Sequence, residues 1–324
     1  MALVVAVAAI GAGVAAWWIR QPLALPVAPF AFDVRSGATL KSVARDLKVS
    51  GVLAAEFPLV ALARFRGVDR SIKAGNYEIA EGITLPQLLD RLTQGDVTQT
   101  GLTIVEGATF GELAAALAAN PGVVKQVAGL PRAELAQRIG LPVPDPEGWF
   151  FPDTYYFAAG SSDLAVLARA HRLMRARLDA AWANRAPDLP LADAYAALIL
   201  ASIVEKETGR AADRPLIASV FVNRLRLGMR LQSDPTVIYG LGPKFDGNLR
   251  KRDLEADTPY NTYLRDGLPP TPIALPGQAS LDAVTNPPST KFLYFVARGD
   301  GTSEFSANLA DHNRAVAKFQ LGRR

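Results

Sequence analysis

The chain has 324 residues, of which 49% are hydrophobic, and its 35 basic and 31 acidic side chains give a formal charge of +4. This composition predicts a globular protein of two or three domains, and the charge is too weak and too dispersed to argue for nucleic-acid binding. The absence of cysteine excludes disulfides and thiolate chemistry, and the two histidines, His171 and His312, lie too far apart in the sequence to favour a metal site.

The first 19 residues, MALVVAVAAIGAGVAAWWI, carry no charged side chain. A helix of this length reaches about 28 Å, close to the ~30 Å hydrocarbon core of a bilayer. Trp17 and Trp18 stand where an interfacial aromatic belt would lie. A cleavable signal peptide is the alternative, but no basic region precedes the apolar run and Trp-Trp-Ile-Arg is a poor cleavage site. We therefore predict a transmembrane helix over residues 1–19, followed by a proline-rich stalk over residues 20–30.

Three segments share one residue pattern: FDVRSGATLKSVARDL from Phe32, YEIAEGITLPQLLDRL from Tyr77 and LTIVEGATFGELAAAL from Leu102. In each, apolar residues two apart indicate a short strand, a glycine suits a turn with positive φ, and a threonine suits the N-cap of an amphipathic helix. Each segment therefore predicts a strand–turn–helix unit. Such units resemble LysM modules, which bind the N-acetyl sugars of cell-wall glycans, although the same arrangement is common in proteins without a ligand. We place a LysM-like subdomain at residues 31–100.

The segment EGWFFPDTYYF, from Glu147 to Phe157, is dense in aromatic residues. Two interpretations stay open for it. The aromatic side chains either form a wall on which sugar rings stack, or they fill the core as part of a hairpin.

The stretch LILASIVEKETGR, from Leu198 to Arg210, runs from an apolar helix directly into Glu-Lys-Glu. Asp193 suits its N-cap and Gly209 suits its C-terminal end. The helix is apolar on nearly all sides, which is typical of a helix at the centre of a domain. Glu205 and Glu207 would then stand at the mouth of a core, where desolvation raises a carboxyl pKa toward the range of a general acid. The alternative is that the helix emerges into water there and both carboxylates are solvated.

Other reaction classes find less support in the sequence. Ser202 and Lys206 lack the S-x-x-K spacing of penicillin-recognising enzymes, and neither a P-loop nor a dinucleotide-binding fingerprint occurs. A second catalytic carboxylate, which ordinary glycosidases need, is not obvious, and Asp234 and Asp253 are candidates by position only.

Four segments together resemble the signature of the YceG-like endolytic murein transglycosylases: EGWFFPDTYYF, ASIVEKETGRAADRPLIASVFVNRLRLGMRLQSDPTVIYGLG, YNTYLRDGLPPTPIALPG and KFLYFVARGDGTSEFSANLADHN. The similarity runs in order from about Phe32 to the C-terminus. It implies an α+β protein with an N-terminal transmembrane helix, a LysM-like subdomain and a lysozyme-related, mostly helical catalytic domain, which we place at residues 101–324. It also implies a single-pass protein of the cell inner membrane with its catalytic domain in the periplasm. Nascent peptidoglycan glycan strands would be the substrate and peptidoglycan synthases would be partners, with no cofactor or metal and no nucleic acid.

The resemblance further implies that Glu205 is the catalytic residue. In lytic transglycosylases one Glu protonates the oxygen that links MurNAc to GlcNAc, and the resulting carboxylate takes the proton of the MurNAc 6-hydroxyl. That hydroxyl closes on C1 and leaves a 1,6-anhydro end, an intramolecular attack that benefits from a high effective molarity.

Glu207 is predicted to support Glu205 at the substrate-binding site, and the residues of this chain alone do not separate the two. Gln232, Tyr260 and Asn261 are predicted to bind substrate, because they resemble the Gln and Tyr-Asn elements of lysozyme-like transglycosylases. Alternatively, Gln232 caps a turn and Asn261 holds a loop. Two rival functions are a non-catalytic, membrane-anchored peptidoglycan-binding scaffold and a secreted hydrolase that adds water to the same bond.

Overall fold

The computed structural model of the chain describes residues 13, 17–34, 37–73, 75–94, 99–158 and 161–322. Within these ranges, no helix has the length and apolar character needed to span a membrane. The transmembrane helix predicted for residues 1–19 falls mainly on residues 1–12 and 14–16, which lie outside the described residues. It therefore stays a prediction.

The described residues form helices and short strands, which confirms the predicted α+β class. The strands are β1 (Phe30–Val34), β2 (Gly75–Ile79), β3 (Gln99–Thr103), β4 (Val123–Val124), β5 (Thr154–Ala158), β6 (Ser161–Ser162), β7 (Tyr294–Ala297) and β8 (Ser303–Ser306). The helices are α1 (Leu40–Val49), α2 (Phe57–Phe65), α3 (Leu85–Gln94), α4 (Phe110–Ala119), α5 (Arg132–Ile139), α6 (Asp163–Ala183), α7 (Ala194–Glu207), α8 (Arg214–Arg226), α9 (Asp234–Leu241), α10 (Lys251–Leu254), α11 (Gln278–Thr285) and α12 (Leu309–Phe319).

The chain divides into two compact units that are not simple consecutive blocks of sequence. The first unit comprises the described residues up to Leu102 together with Asn120–Gln126 and Tyr155–Val166. The second comprises Thr103–Ala119, Val127–Thr154 and the described residues from Leu167 onward. The predicted domain boundaries at residues 31–100 and 101–324 stay predictions.

The first unit is built on the order β1–α1–α2–β2, with the two strands antiparallel and Phe32 opposite Tyr77. The rings of this pair stack with their centroids 5.5 Å apart. The apolar faces of the helices fill the core beneath the sheet, where Leu47 and Leu88 are almost fully buried. The strand–turn–helix units predicted from Phe32 and from Tyr77 are therefore confirmed.

The proline-rich segment before β1 lies against this first unit. The Leu23 N–H donates to the Ile83 carbonyl at 2.8 Å. Ile19, Leu23 and Leu25 pack on the core of the unit. The segment predicted as a stalk therefore contributes apolar contacts to the fold it precedes.

The third predicted strand–turn–helix unit is present, but it is divided between the two units. Strand β3 pairs with β5, whereas helix α4 belongs to the second unit. The threonine N-cap predicted for α4 is confirmed and forms a capping box: the Thr109 N–H donates to Glu112 at 2.7 Å and the Glu112 N–H donates to the Thr109 hydroxyl at 3.2 Å. The repeat in sequence therefore does not correspond to a repeat in tertiary packing.

Helix α7 is the centre of the second unit. Its side chains from Ala197 to Val204 are all buried, and α8, α9 and α11 pack around it. Asp193 accepts a hydrogen bond from the Ala196 N–H at 2.8 Å, so the predicted N-cap is confirmed. Trp149 and Phe151 lie in the same core, which favours the core interpretation of the aromatic segment over a sugar-stacking wall.

Candidate active site

Glu205, at the end of α7, is held by three donors from two other helices or their caps. Its Oε1 accepts from Arg214 Nη2 at 3.2 Å, and its Oε2 accepts from the Gly277 N–H at 2.9 Å and from the Ser280 hydroxyl at 2.7 Å. Gly277 is the N-cap of α11, so the carboxylate also faces the positive end of that helix. Each of the two carboxyl oxygens of Glu205 therefore has at least one hydrogen-bond donor.

The turn that leads into α4 covers Glu205. The Gly107 N–H donates to the Leu275 carbonyl at 2.9 Å, and Lys206 Nζ donates to the Gly107 carbonyl at 3.1 Å. A Cβ at Gly107 would lie 3.8 Å from Glu205 Cγ. The Glu205 side chain is consequently only 5% exposed, and its partner Arg214 is 9% exposed.

Glu207, two residues further, has a different environment. Its Oε1 accepts a short 2.6 Å hydrogen bond from the Ser233 hydroxyl. Burial raises the pKa of Glu207 to about 7, and the negative charge of Asp234 adds to the rise. The Ser233 hydrogen bond and the positive charge of Arg224 oppose it. This carboxyl is therefore able to hold a proton near neutral pH and to release it.

Glu207 also lines a pocket of about 570 Å³. Other residues that line it come from β7, β8, α12 and the loop between α8 and α9. The polar and aromatic side chains that line it include Gln232, Asp234, Tyr263, Tyr294 and His312. Aromatic rings and hydrogen-bonding groups along one pocket suit a polar ligand such as a sugar.

Gln232 adopts a backbone conformation that is rare for a residue with a side chain, with a φ of 50°. Its N–H donates to the Thr262 carbonyl at 3.1 Å, and its Oε1 accepts from Arg224 Nη1 at 3.2 Å. Arg224 is itself fixed by the carbonyls of Leu231, at 2.8 Å, and Leu293, at 2.7 Å. Backbone strain of this kind clusters at functional sites, and here it presents an amide side chain to the pocket.

Comparison with known proteins identifies the family of this chain. The model of the YceG-like family matches residues 32–318, which is most of the chain. The chain belongs to the YceG-like family.

Several characterised or solved proteins resemble this YceG-like chain. An endolytic murein transglycosylase of Bacillus subtilis is 32% identical over 312 residues, covering 89% of this chain and 84% of the relative. An endolytic murein transglycosylase of Streptococcus pneumoniae is 27% identical, covering 88% of this chain and 57% of the relative. The crystal structure of a yceG-like protein from Listeria monocytogenes superposes with a TM-score of 0.55 at 27% identity, over 88% of this chain and 98% of that one.

The structure brings two of the predicted site residues of this YceG-like chain together and places two others elsewhere. Glu207 and Gln232 line the same pocket. Tyr260 packs against Tyr239 with ring centroids 4.9 Å apart, and its hydroxyl lies 2.8 Å from that of Thr271. Asn261 is fully buried, so the alternative interpretation, in which it holds a loop, describes its contacts.

The loop that Asn261 holds contributes to the pocket indirectly. Its amide donates to the carbonyls of Leu254 and Ala256 at 2.9 and 2.8 Å, and its Oδ1 accepts from the Tyr263 N–H at 2.9 Å. Tyr263 lines the pocket. The sequence interpretation gave no role to Tyr263 or His312. The ring of His312 stacks with that of Tyr294, with centroids 5.1 Å apart. The only sequence signal for Tyr263 and His312 was that each falls in a segment with the family resemblance.

A third carboxyl group in the second unit is fully buried. Glu147 accepts from the Phe110 N–H at 2.8 Å and from the Tyr239 hydroxyl at 2.9 Å, and it lies 3.9 Å from Arg132 Nη1. Burial raises the pKa of Glu147 to about 7, although these donors and the Arg132 charge oppose the rise. Glu147, the first residue of the aromatic segment, therefore holds the first residue of α4 in place.

This burial predicts a pH dependence of stability. Between pH 4.5 and about 7 the folded state keeps a proton on Glu147 that the unfolded state releases, so the free energy of unfolding falls as the pH rises. The Glu147→Gln variant lacks this titration. Its stability relative to the unmodified protein should rise by up to roughly 3 kcal/mol between pH 4 and pH 8, as measured by urea unfolding of both proteins. A difference that stays constant with pH would contradict the prediction.

Proposed function

We propose that the protein is an endolytic murein transglycosylase that cuts the MurNAc–GlcNAc bond of nascent peptidoglycan strands and leaves 1,6-anhydroMurNAc ends. The observation that carries the proposal is Glu207, a carboxyl group with a pKa of about 7 that lines a pocket of sugar-binding character. The relatives of this chain that are named endolytic murein transglycosylases support the same activity.

In the proposed reaction Glu207 acts first as an acid and then as a base. Its proton passes to the glycosidic oxygen, the bond from that oxygen to C1 of MurNAc breaks, and the electron pair stays with the oxygen. The MurNAc 6-hydroxyl then attacks C1 and gives its proton to the Glu207 carboxylate. No water is consumed and the proton on the enzyme is restored. A pKa near the working pH favours both transfers.

The sequence resemblance assigned this acid role to Glu205, and that assignment stays a prediction. The contacts of the two residues give a physical reason to prefer Glu207. Glu205 engages three donors, including a guanidinium, whereas Glu207 accepts one hydroxyl and borders the pocket. We propose that Glu205 anchors the end of α7 to α11 and thereby positions Glu207.

We also propose that the first unit is a LysM-like, glycan-binding subdomain. The support is its order of elements, β1–α1–α2–β2 with antiparallel strands, and a groove of about 460 Å³ at the N-terminus of α1. Polar side chains at this groove include Lys41, Arg64 and Arg70. Such a subdomain would hold the strand that the catalytic unit cuts.

We also propose a cellular location, on the basis of the substrate and of the first 19 residues, which carry no charged side chain. A transmembrane helix there would anchor the protein in the inner membrane with both units in the periplasm. That position would give access to newly made strands and to peptidoglycan synthases.

Digestion of purified sacculi tests the proposed activity. The released muropeptides are separated and weighed by mass spectrometry. We expect products with 1,6-anhydroMurNAc ends, which are lighter by one water than reducing ends. Reducing ends would instead indicate a hydrolase, and intact polymer would indicate a binding scaffold, so either result would refute the proposal.

A matched pair of variants tests the role of Gln232. Gln232→Gly removes the side chain and also the strain of a φ near 50°, so stability should stay within about 1 kcal/mol of the unmodified protein. Gln232→Ala removes the same side chain but keeps the strain, and we expect it to be the less stable of the two. Both should lower kcat/KM about tenfold through the lost hydrogen bond to substrate. Full activity in both variants would remove Gln232 from the site.

A further inference from the structure

The first unit carries an apolar groove that the proposed function does not use. The groove has a volume of about 270 Å³. It is lined mainly by the segment before β1, including Trp18 and Leu23, and by the loop between α1 and α2, including Val52 and Ala55. Among the described residues that line it, Gln21 is the only one with a polar side chain. Because a sugar needs several well-placed hydrogen-bonding groups, this groove suits an apolar ligand better.

Large apolar side chains are exposed around this groove. Trp17, Val49 and Phe57 are 65%, 83% and 77% exposed. Each of the three is within two residues of a residue that lines the groove. Val49 ends α1 and Phe57 begins α2, so the loop between these helices has an exposed apolar residue at both ends. Exposed apolar side chains grouped at one place indicate a binding surface.

The chain between this surface and the proposed membrane anchor is short. The uncharged first 19 residues end at Ile19, and Ile19 packs on the core of the first unit. The Arg20 N–H donates to the Trp17 carbonyl at 3.2 Å, and the Leu23 N–H is bonded to the Ile83 carbonyl. Four residues of extended chain span at most about 15 Å. A helix that left the bilayer at Ile19 would therefore hold the first unit against the membrane surface.

We propose that this groove and the exposed side chains around it dock the first unit onto the surface of the lipid bilayer. The inference rests on the proposed membrane anchor, which brings lipid to this face of the unit. Trp17 and Trp18 would lie at the level of the headgroups, where amphipathic aromatic rings are favoured. Phe57 would enter the same layer from α2. The exposed Arg20 adds a positive charge where anionic headgroups lie.

The two ends of α1 differ in chemistry. The groove proposed to bind glycan lies at its N-terminal end, where Lys41 is one of the lining residues. The apolar groove lies beyond Val49, at its C-terminal end. Ten helical residues separate these ends by about 15 Å. The first unit would therefore face the membrane at one end of α1 and a glycan strand at the other.

The test measures which exposed positions of the first unit contact lipid. The chain has no cysteine, so Phe57→Cys and Lys41→Cys each provide one attachment point for an environment-sensitive fluorophore. Both positions are exposed, so neither change should impair folding. The labelled full chains are placed in vesicles of phosphatidylethanolamine and phosphatidylglycerol, to which spin-labelled lipids are added as quenchers. We expect lipid to quench the label of Phe57→Cys and to leave the label of Lys41→Cys in water.

A matched pair of charged variants tests whether Phe57 itself enters the lipid. The reporter is a label on Val49→Cys, which lipid should also quench. Addition of Phe57→Asp should remove most of that quenching, because a carboxyl group resists transfer out of water. Phe65→Asp makes the same change at the other end of α2, at a residue that is also exposed. It should leave the quenching unchanged, because neither Phe65 nor its neighbours in sequence line the groove.

Two results would overturn the inference alone. One is equal quenching of the labels of Phe57→Cys and Lys41→Cys. The other is a Phe57→Cys label that is shielded from water but not quenched by lipid, because protein, such as a second copy of this chain, would then cover the groove. Failure of the protein to stay with the vesicles would overturn both the anchor and the docking. Digestion of sacculi needs no vesicles, so it tests the proposed cleavage separately.

Discussion

The Glu207→Gln variant should lose glycan cleavage by about 10²- to 10⁴-fold, the usual contribution of a positioned general acid. Gln has nearly the same shape as Glu and can still accept the Ser233 hydroxyl, but it carries no proton that can be transferred to a glycosidic oxygen. The measurement is the rate at which anhydro ends appear from purified sacculi. Circular dichroism and the unfolding midpoint should stay close to those of the unmodified protein, because no buried ion pair is broken.

Glu205→Gln is the matched control for that experiment, since it makes the same chemical change two residues away on α7. We expect it to keep a substantial part of the activity of each folded molecule, although fewer molecules will be folded. The reverse pattern, with cleavage lost in Glu205→Gln and retained in Glu207→Gln, would contradict our assignment and support the prediction drawn from the family resemblance.

The second large effect concerns stability. Glu205→Ala should lower the free energy of unfolding by about 3–5 kcal/mol, the usual result of removing one partner from a buried ion pair. The change leaves Arg214 without its counter-ion at 9% exposure, and it leaves the Gly277 N–H and the Ser280 hydroxyl without their acceptor. Urea unfolding at neutral pH measures the loss.

Two comparisons make the cause of this loss visible. Glu255→Ala removes an exposed carboxylate 3.9 Å from Lys251, and such surface pairs contribute at most about 1 kcal/mol. Glu205→Ala should also cost less in an Arg214→Ala background, because the unpaired charge is then absent. Equal losses at Glu205 and Glu255 would show that the buried pair does not anchor α7.

The sequence predicted the local elements of this fold well, because the information was local. Alternating apolar residues, a glycine and a capping threonine fall within a dozen residues of each other, and β1, β2 and the helices after them appear where this pattern placed them. The all-round apolar character of α7 likewise indicated its central position, which the burial from Ala197 to Val204 confirms.

The environments of the two glutamates could not be predicted in the same way. Whether Glu205 or Glu207 borders a pocket depends on Ser280, which is 75 residues from Glu205, and on Ser233, which is 26 residues from Glu207. Helical spacing places both carboxyls at one end of α7 but does not say which element packs over each. Asn261 illustrates the same limit, since a Tyr-Asn pair indicated ligand contact whereas its side chain forms buried loop contacts.

The route of the chain between its two units has a consequence for their inheritance. Because Asn120–Gln126 and Tyr155–Val166 return to the first unit after the second has begun, no single cut in the gene separates one complete unit from the other. If one recombination event exchanged either unit between two proteins, Asn120–Gln126 and Tyr155–Val166 would be separated from the rest of the first unit. Replacement of one unit alone would therefore require several exchange points along the gene.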